Sequence, residues 1–206
     1  MADVERHEFF PTCIYRFKHD FKENELNNVV KHIEDNSLSE QNGQIIKRTG
    51  SQTQNELHKI DTFANLTKTI INATKSILDE QGYIGEVEIT NMWGNILRPQ
   101  SQRAHAPHTH SNNFLSGVFY LKTSDDTSPI QFFDPRPQSD VLKPRKKEYN
   151  RLNSNIAQFQ SETGWGVVFP SWLQHWVPET KDERMSIAWN IIVRGEYGEP
   201  NALQNA

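Results

Sequence analysis

Apolar positions along this chain change period near residue 86. Before that point Leu26, Val29, Val30 and Ile33 recur at the three- and four-residue spacing of a helix face. Phe63, Leu66, Ile70, Ala73 and Ile77 do so again, with Asp61 placed as an N-cap and Gly82 as a stop. An aromatic and β-branched run from Phe9 to Phe17 predicts a strand ahead of the first helix. Beyond Gly82, Val87 and Ile89 alternate with Glu86, Glu88 and Thr90, and short apolar runs recur at Ile96, Phe114 to Leu121, Ile130 to Phe133, Val167 to Phe169 and Met185 to Val193. Short strands separated by turn residues predict a mainly β fold, a barrel or two-sheet jelly roll, with flanking helices packed outside one sheet. Ser37 to Lys59 reads as polar and turn-rich. Pro137 to Glu162 reads as a long surface loop, basic through Lys143, Arg145, Lys146, Lys147 and Arg151, and a loop of that length could face a substrate.

Candidate chemistry lies in the β-rich half. His108 and His110 are two residues apart, so on a strand they point to one face and can offer two imidazoles to one ion, with His175 closing the triangle from another strand. The metal expected is Fe(II). The last apolar run splits into Arg184, Ser186, Ala188, Asn190 and Ile192 on one face and Met185, Ile187, Trp189, Ile191 and Val193 on the other, and both faces look buried. An arginine there without an anion would cost about 3–5 kcal/mol. Its planar fork suits a carboxylate, and Ser186 can add a hydroxyl donor. Asp134 in FFDP is a second candidate for a metal ligand, although Asp before Pro is more simply a turn former. Trp172 and Trp176 flank His175 and could border a substrate mouth together with Asn190, whereas His105, three residues before His108 with Pro107 between, reads as outside the cluster.

Composition narrows the partners. In 206 residues with a net charge of −4 there is no broad drive toward nucleic acid or an anionic membrane. No apolar run approaches the ~20 residues of a membrane span. One cysteine, Cys13, excludes an internal disulfide, and the opening MADVERHEFF lacks the layout of a secretory signal, so a cytoplasmic setting is expected, that of the host for a phage-borne copy. The expected partner is a small molecule or a protein.

The segments FFPTCIYRF, HTHSNNFLSGVFYL, IQFFDPRP, GWGVVFPSWLQHWV and ERMSIAWN, in that order, resemble the Fe(II)- and 2-oxoglutarate-dependent oxygenases, and within them a prolyl-hydroxylase-like subgroup of small bacterial and phage proteins. The resemblance implies a double-stranded β-helix (jelly roll) spanning residues 1–206 as one domain, with helical support over 20–82 and the jelly-roll core over 86–197. It implies Fe(II) and 2-oxoglutarate (2OG) as cofactor and cosubstrate, dioxygen as co-reactant, ascorbate as a supporting reductant, and hydroxylation of an unactivated C–H bond with release of succinate and CO2. By that resemblance His108 and His175 are metal ligands, Arg184 binds 2OG, and Tyr120 bonds the same carboxylate. At the position of the family's usual carboxylate ligand this chain has His110. Two other readings stay open on sequence alone: a three-histidine dioxygenase that does not use 2OG, and a noncatalytic jelly-roll binding module.

Overall fold

The computed structural model describes residues 3–41, 44–47, 52–99 and 104–198. Strand β1 (Tyr15–Lys18) leads into helix α1 (Glu23–Asn36), then the hairpin β2 (Leu38–Gln41) and β3 (Gln44–Lys47), and helix α2 (Ala64–Gln81). The β-rich half follows as β4 (Glu86–Leu97), β5 (His105–His108), β6 (Leu115–Lys122), β7 (Ile130–Phe133), β8 (Ile156–Phe159), β9 (Trp165–Pro170), β10 (His175–Val177) and β11 (Arg184–Arg194). Two antiparallel sheets form the jelly roll, one in the order β1-β9-β6-β11-β4 and the other β5-β10-β7-β8.

Strand alternation sorts the side chains into two cores. Leu115, Phe119, Leu121, Met185, Ile187, Trp189 and Ile191 turn outward from the larger sheet and pack on Val29 and Ile33 of α1 and Leu66, Ile70 and Ile77 of α2. The opposite face sends Val118, Tyr120, Val167 and Phe169 against Ile130, Phe132 and Val177 of the smaller sheet. Both faces of β11 are buried, as its sequence predicts, so its polar residues Arg184, Ser186 and Asn190 lie inside the protein.

Local chemistry explains the ends of these elements and several departures from expectation. Gly82 closes α2 at φ 74°, a left-handed conformation that favours glycine, and its N–H bonds back to Asp79 and Leu78 carbonyls. Asp61 does not cap α2: it opens a single 3-10 turn, Asp61–Phe63, which spends that turn before the α-helix starts. The predicted first strand shrinks to β1, because Phe9 and Phe10 have no sheet partner and stand exposed. The 137–162 stretch is not all loop, since its end forms β8 against β7. Hairpin β2–β3 likewise lies inside the stretch read as turns. Among the described residues no helix is long and apolar enough to cross a membrane.

Gly117 on β6 stands opposite Trp189 on β11, and the indole fills the space a side chain would need. A Cβ there would overlap the indole and sit 2.9 Å from the Val167 carbonyl oxygen. Gly117→Ala is therefore expected to destabilise the protein by about 1–3 kcal/mol through overpacking. Chemical denaturation would show it as a lower midpoint with an unchanged slope.

Candidate metal centre

Strand pairing brings the three histidines together. His108 ends β5 and His175 opens β10, and the two are direct partners across the ladder. His110 follows β5, and its backbone N–H donates to the Ser171 carbonyl at 2.9 Å, which fixes the chain beside the turn before β10. One nitrogen from each imidazole lies within 4.8 Å of the others.

Hydrogen bonds set the direction of two rings. Nδ1 of His108 is 2.7 Å from the Ala106 carbonyl, and Nδ1 of His175 is 2.9 Å from the Leu173 carbonyl. A carbonyl can only accept, so each Nδ1 carries a proton, and in the neutral ring the lone pair is then on Nε2. His110 Nε2 lies 3.3 Å from His175 Nε2, and Trp93 stacks over the His110 ring at 6.3 Å between centroids. Burial lowers the pKa of His110 and of His175 to about 4, so both are neutral near pH 7, the form that binds a metal.

A cation without an anion lies beside this cluster. Arg184 is 1% exposed and shares a pocket with the three histidines. Its Nε donates to Ser161 Oγ at 3.1 Å and its Nη1 to Ser186 Oγ at 2.9 Å, and the guanidinium carbon sits 4.8 Å above the Tyr120 ring. Among the described residues no carboxylate lies within ion-pairing distance of it. Among the described residues the buried Tyr120 hydroxyl has no hydrogen-bond partner. A dianionic keto acid fits these features: its far carboxylate would meet a forked cation and an unpartnered hydroxyl, and its other end would reach the three nitrogens. Three neutral imidazoles suit a divalent first-row metal such as Fe(II), and the dianion would balance its charge.

The other expected residues fall elsewhere. Asp134 is outside the cluster and is held by Arg136 through Nε at 2.9 Å and Nη2 at 2.8 Å, a pairing that lowers its pKa to about 2. Trp172 is exposed and borders an outer groove with Phe9 and Phe10. Trp176 donates its Nε1–H to Gln131 Oε1 at 2.8 Å. Neither tryptophan lines the three-histidine pocket. Asn190 is not at a mouth: it is buried and bonded to Asn91 and Ser116.

Three residues of this region carry no expectation from sequence as part of it. His105 lines the pocket despite Pro107, because a β-bulge opposite His175 and Val177 changes the phase of β5 and removes the simple alternation used to set it aside. Trp93 and Asn95 reach the pocket from β4. Their signal was the i, i+2 spacing on a strand whose intervening Gly94 packs toward Ile33 of α1.

Burial also lowers the pKa of His105 to about 4, with Arg184 adding to the effect. Below pH 6.5 the unfolded chain takes up protons at His105, His110 and His175 that the folded chain refuses until about pH 4. Stability therefore stays level above pH 6.5 on account of these groups and falls as pH drops toward 4. Melting of the metal-free protein is expected several degrees lower at about pH 5 than at about pH 7. Replacing all three by glutamine should flatten that slope.

Residues 91–190 match the family model described as "Putative 2OG-Fe(II) oxygenase". No curated protein matches the sequence. Solved structures similar in fold include a prolyl-4-hydroxylase of Pseudomonas putida, with a TM-score of 0.59 at 13% identity over 89% of this chain and 94% of that one. AviO1 of Streptomyces viridochromogenes gives a TM-score of 0.59 at 12% identity, covering 92% of this chain and 93% of that one. The viral collagen prolyl hydroxylase of Paramecium bursaria Chlorella virus-1, solved as a 2OG complex, gives 0.54 at 12% identity, covering 88% and 96%. At such identities these structures establish the jelly-roll fold, while the family match spans β11 through Asn190 and contains the three histidines and Arg184. Residues 91–190, which hold the three histidines and Arg184, are thus similar to the 2OG-Fe(II) oxygenase family.

Proposed function

We propose that the protein is an Fe(II)- and 2OG-dependent hydroxylase in which His108, His110 and His175 hold the metal and Arg184, Ser186 and Tyr120 hold the far carboxylate of 2OG. The observation that carries this reading is a buried arginine whose partners among the described residues are all neutral, in the same pocket as three converging imidazole nitrogens. When bound, Fe(II) and 2OG supply the oxidising chemistry: dioxygen is consumed, 2OG becomes succinate and CO2, and one oxygen atom enters a C–H bond of the substrate.

The chain's own residues bind, orient and exclude water. Ser161 and Ser186 accept from two arms of Arg184, so the guanidinium is aimed before any ligand arrives and little entropy is lost on binding. Tyr120, beneath that guanidinium, carries a hydroxyl free to donate to the same carboxylate. Val118, Ile130, Phe169 and Val177 make the pocket wall apolar, which keeps bulk water from the reacting region and strengthens each charge contact inside it. His108 is exposed while His175 is buried, so substrate would approach from the His108 side. No side chain is needed as a general acid or base in this scheme, and positioning is the protein's main contribution.

The test is succinate formation by purified protein supplied with Fe(II), ascorbate and 2OG, preceded by titration of 2OG into the Mn(II)-loaded protein without oxygen. Saturable 2OG binding that depends on Mn(II) is expected. Absence of binding under both conditions would overturn the proposal.

A further inference from the structure

A groove of about 890 Å³ runs between the N-terminal segment and the outer strands of the smaller sheet. Its floor is apolar, from Ile14, Phe132 and Leu173, and Phe9, Phe10 and Trp172 line it while more than half exposed. Aromatic surface left open in this way marks an interaction site. The groove lies at the end of the sheet that holds the histidines, because ladder partners place His108, His175, Phe132 and Ala157 in one row across it. Leu173, whose carbonyl holds the His175 ring, and Phe132, whose ring centroid is 6.0 Å from that imidazole, form the groove wall nearest the metal cluster.

Backbone and charge together select the occupant. β8 is the last strand of its sheet, and among the described residues β7 is its only strand partner. The Asp134 N–H donates to the Asn155 carbonyl, so by alternation Ala157 and Phe159 also face β7, while Ile156 and Gln158 turn their N–H and C=O groups to the open edge. A polypeptide pairs with such alternating donors and acceptors, whereas a phosphodiester backbone supplies acceptors alone. Arg6 and Arg151 share the carboxylate of Glu8, at 3.1 and 3.4 Å, while Arg136 is matched by Asp134, so cations exceed carboxylates along the groove. Lys146 donates to the Asn153 carbonyl, between the lining residues Leu152 and Ser154, and its sequence neighbours Arg145 and Lys147 are exposed. In a chain of net charge −4 this positive region is a local exception, and it draws an acidic partner to the groove.

We propose that the substrate of the metal site is an acidic polypeptide that docks as an added strand on the open edge of β8, with an apolar side chain seated among Phe9, Phe10 and Trp172. The proposal rests on the hydroxylase reading above. Neighbouring strands are about 4.8 Å apart, so a strand added beyond Ala157 lies roughly 14 Å from His175, a gap that about four or five extended residues cross. The docked strand and the reacting residue are thus separate parts of one chain. β8 and the aromatic rim hold the first, and the three-histidine pocket stays open to the second.

The probe is a peptide of alternating Glu and Val with one central Phe, titrated into the protein and followed by 15N NMR, with a Lys-for-Glu peptide and oligothymidylate as controls. The acidic peptide is expected to shift the amides of Ile156 and Gln158 and the Trp172 indole and to slow hydrogen exchange at both amides, while neither control binds. Gln158→Pro removes an edge donor and leaves the β7 ladder intact, so it should weaken the acidic peptide about tenfold, as should Arg151→Glu. Mn(II) held by the three histidines should broaden the resonances of the docked peptide. No binding of the acidic peptide, binding that leaves Ile156 and Gln158 unshifted, or binding of oligothymidylate in its place overturns the proposal in the wild type, without any variant needing to fold. Docking without broadening in a protein that binds Mn(II) overturns the peptide's role as substrate. A protein that docks the peptide but binds neither Mn(II) nor 2OG sinks the hydroxylase reading instead, so the two failures are distinguishable.

Discussion

Arg184→Leu is expected to cost two to three decades of 2OG affinity while melting no lower than the wild type. The first effect follows from a guanidinium that is 1% exposed and, among the described residues, meets two serine hydroxyls and a tyrosine face but no carboxylate. Removing one member of a buried ion pair costs about 3–5 kcal/mol, and roughly 1.4 kcal/mol is a factor of ten. The second effect has the opposite sign from most core substitutions. Without ligand, Arg184 is a desolvated charge with neutral partners, and an apolar side chain of similar bulk removes that desolvation cost. Ser161 keeps its bond to the Ser128 carbonyl after the change, so little else is left unsatisfied. Calorimetric titration of 2OG into the Mn(II) protein and a thermal melt of the apo protein would read the two effects separately. A variant that binds 2OG as the wild type does would remove Arg184 from the account.

At position 110 the chemistry of the replacement should decide the outcome. His110→Ala is expected to weaken divalent metal binding about a hundredfold, because a four-ligand structural zinc site is worth about 10–16 kcal/mol, or roughly 3 kcal/mol per ligand. His110→Asp should hold the metal within about tenfold of the wild type, since it restores an anionic ligand of the two-histidine, one-carboxylate kind. His175→Ala should be the most damaging of the three, because that ring is 4% exposed and has its Nδ1 fixed by Leu173. Equal metal affinity in His110→Ala and the wild type would mean that a different group completes the site. Asp134 is a poor candidate for it while Arg136 holds both of its oxygens.

Local periodicity made much of this legible. The alternation along Met185 to Val193 specified both faces of β11, and with them the burial of Arg184, Ser186 and Asn190. Spacing in HTH and the isolated His175 anticipated which imidazoles meet. What escaped depends on pairing between distant strands. His105 enters the pocket only because of a bulge opposite β10, which no local rule encodes. Ser161, which orients Arg184, comes from the end of a stretch read as a loop, and its contact spans 23 residues. Asn190 looked like a substrate-facing residue because it shares a face with Arg184, but neighbouring strands supply Asn91 and Ser116, and the carboxamide bonds to them. The exposure of Phe9 and Phe10 reflects the missing sheet partner rather than their intrinsic strand preference.

Anaerobic absorption spectroscopy probes the joint use of the imidazoles and the guanidinium in one step. Adding 2OG to the Fe(II) protein should produce a visible metal-to-ligand charge-transfer band that saturates near one equivalent in the wild type, is absent in His175→Ala, and needs far more 2OG in Arg184→Leu. A wild-type protein that binds Fe(II) yet gives no such band at any 2OG concentration would contradict the account.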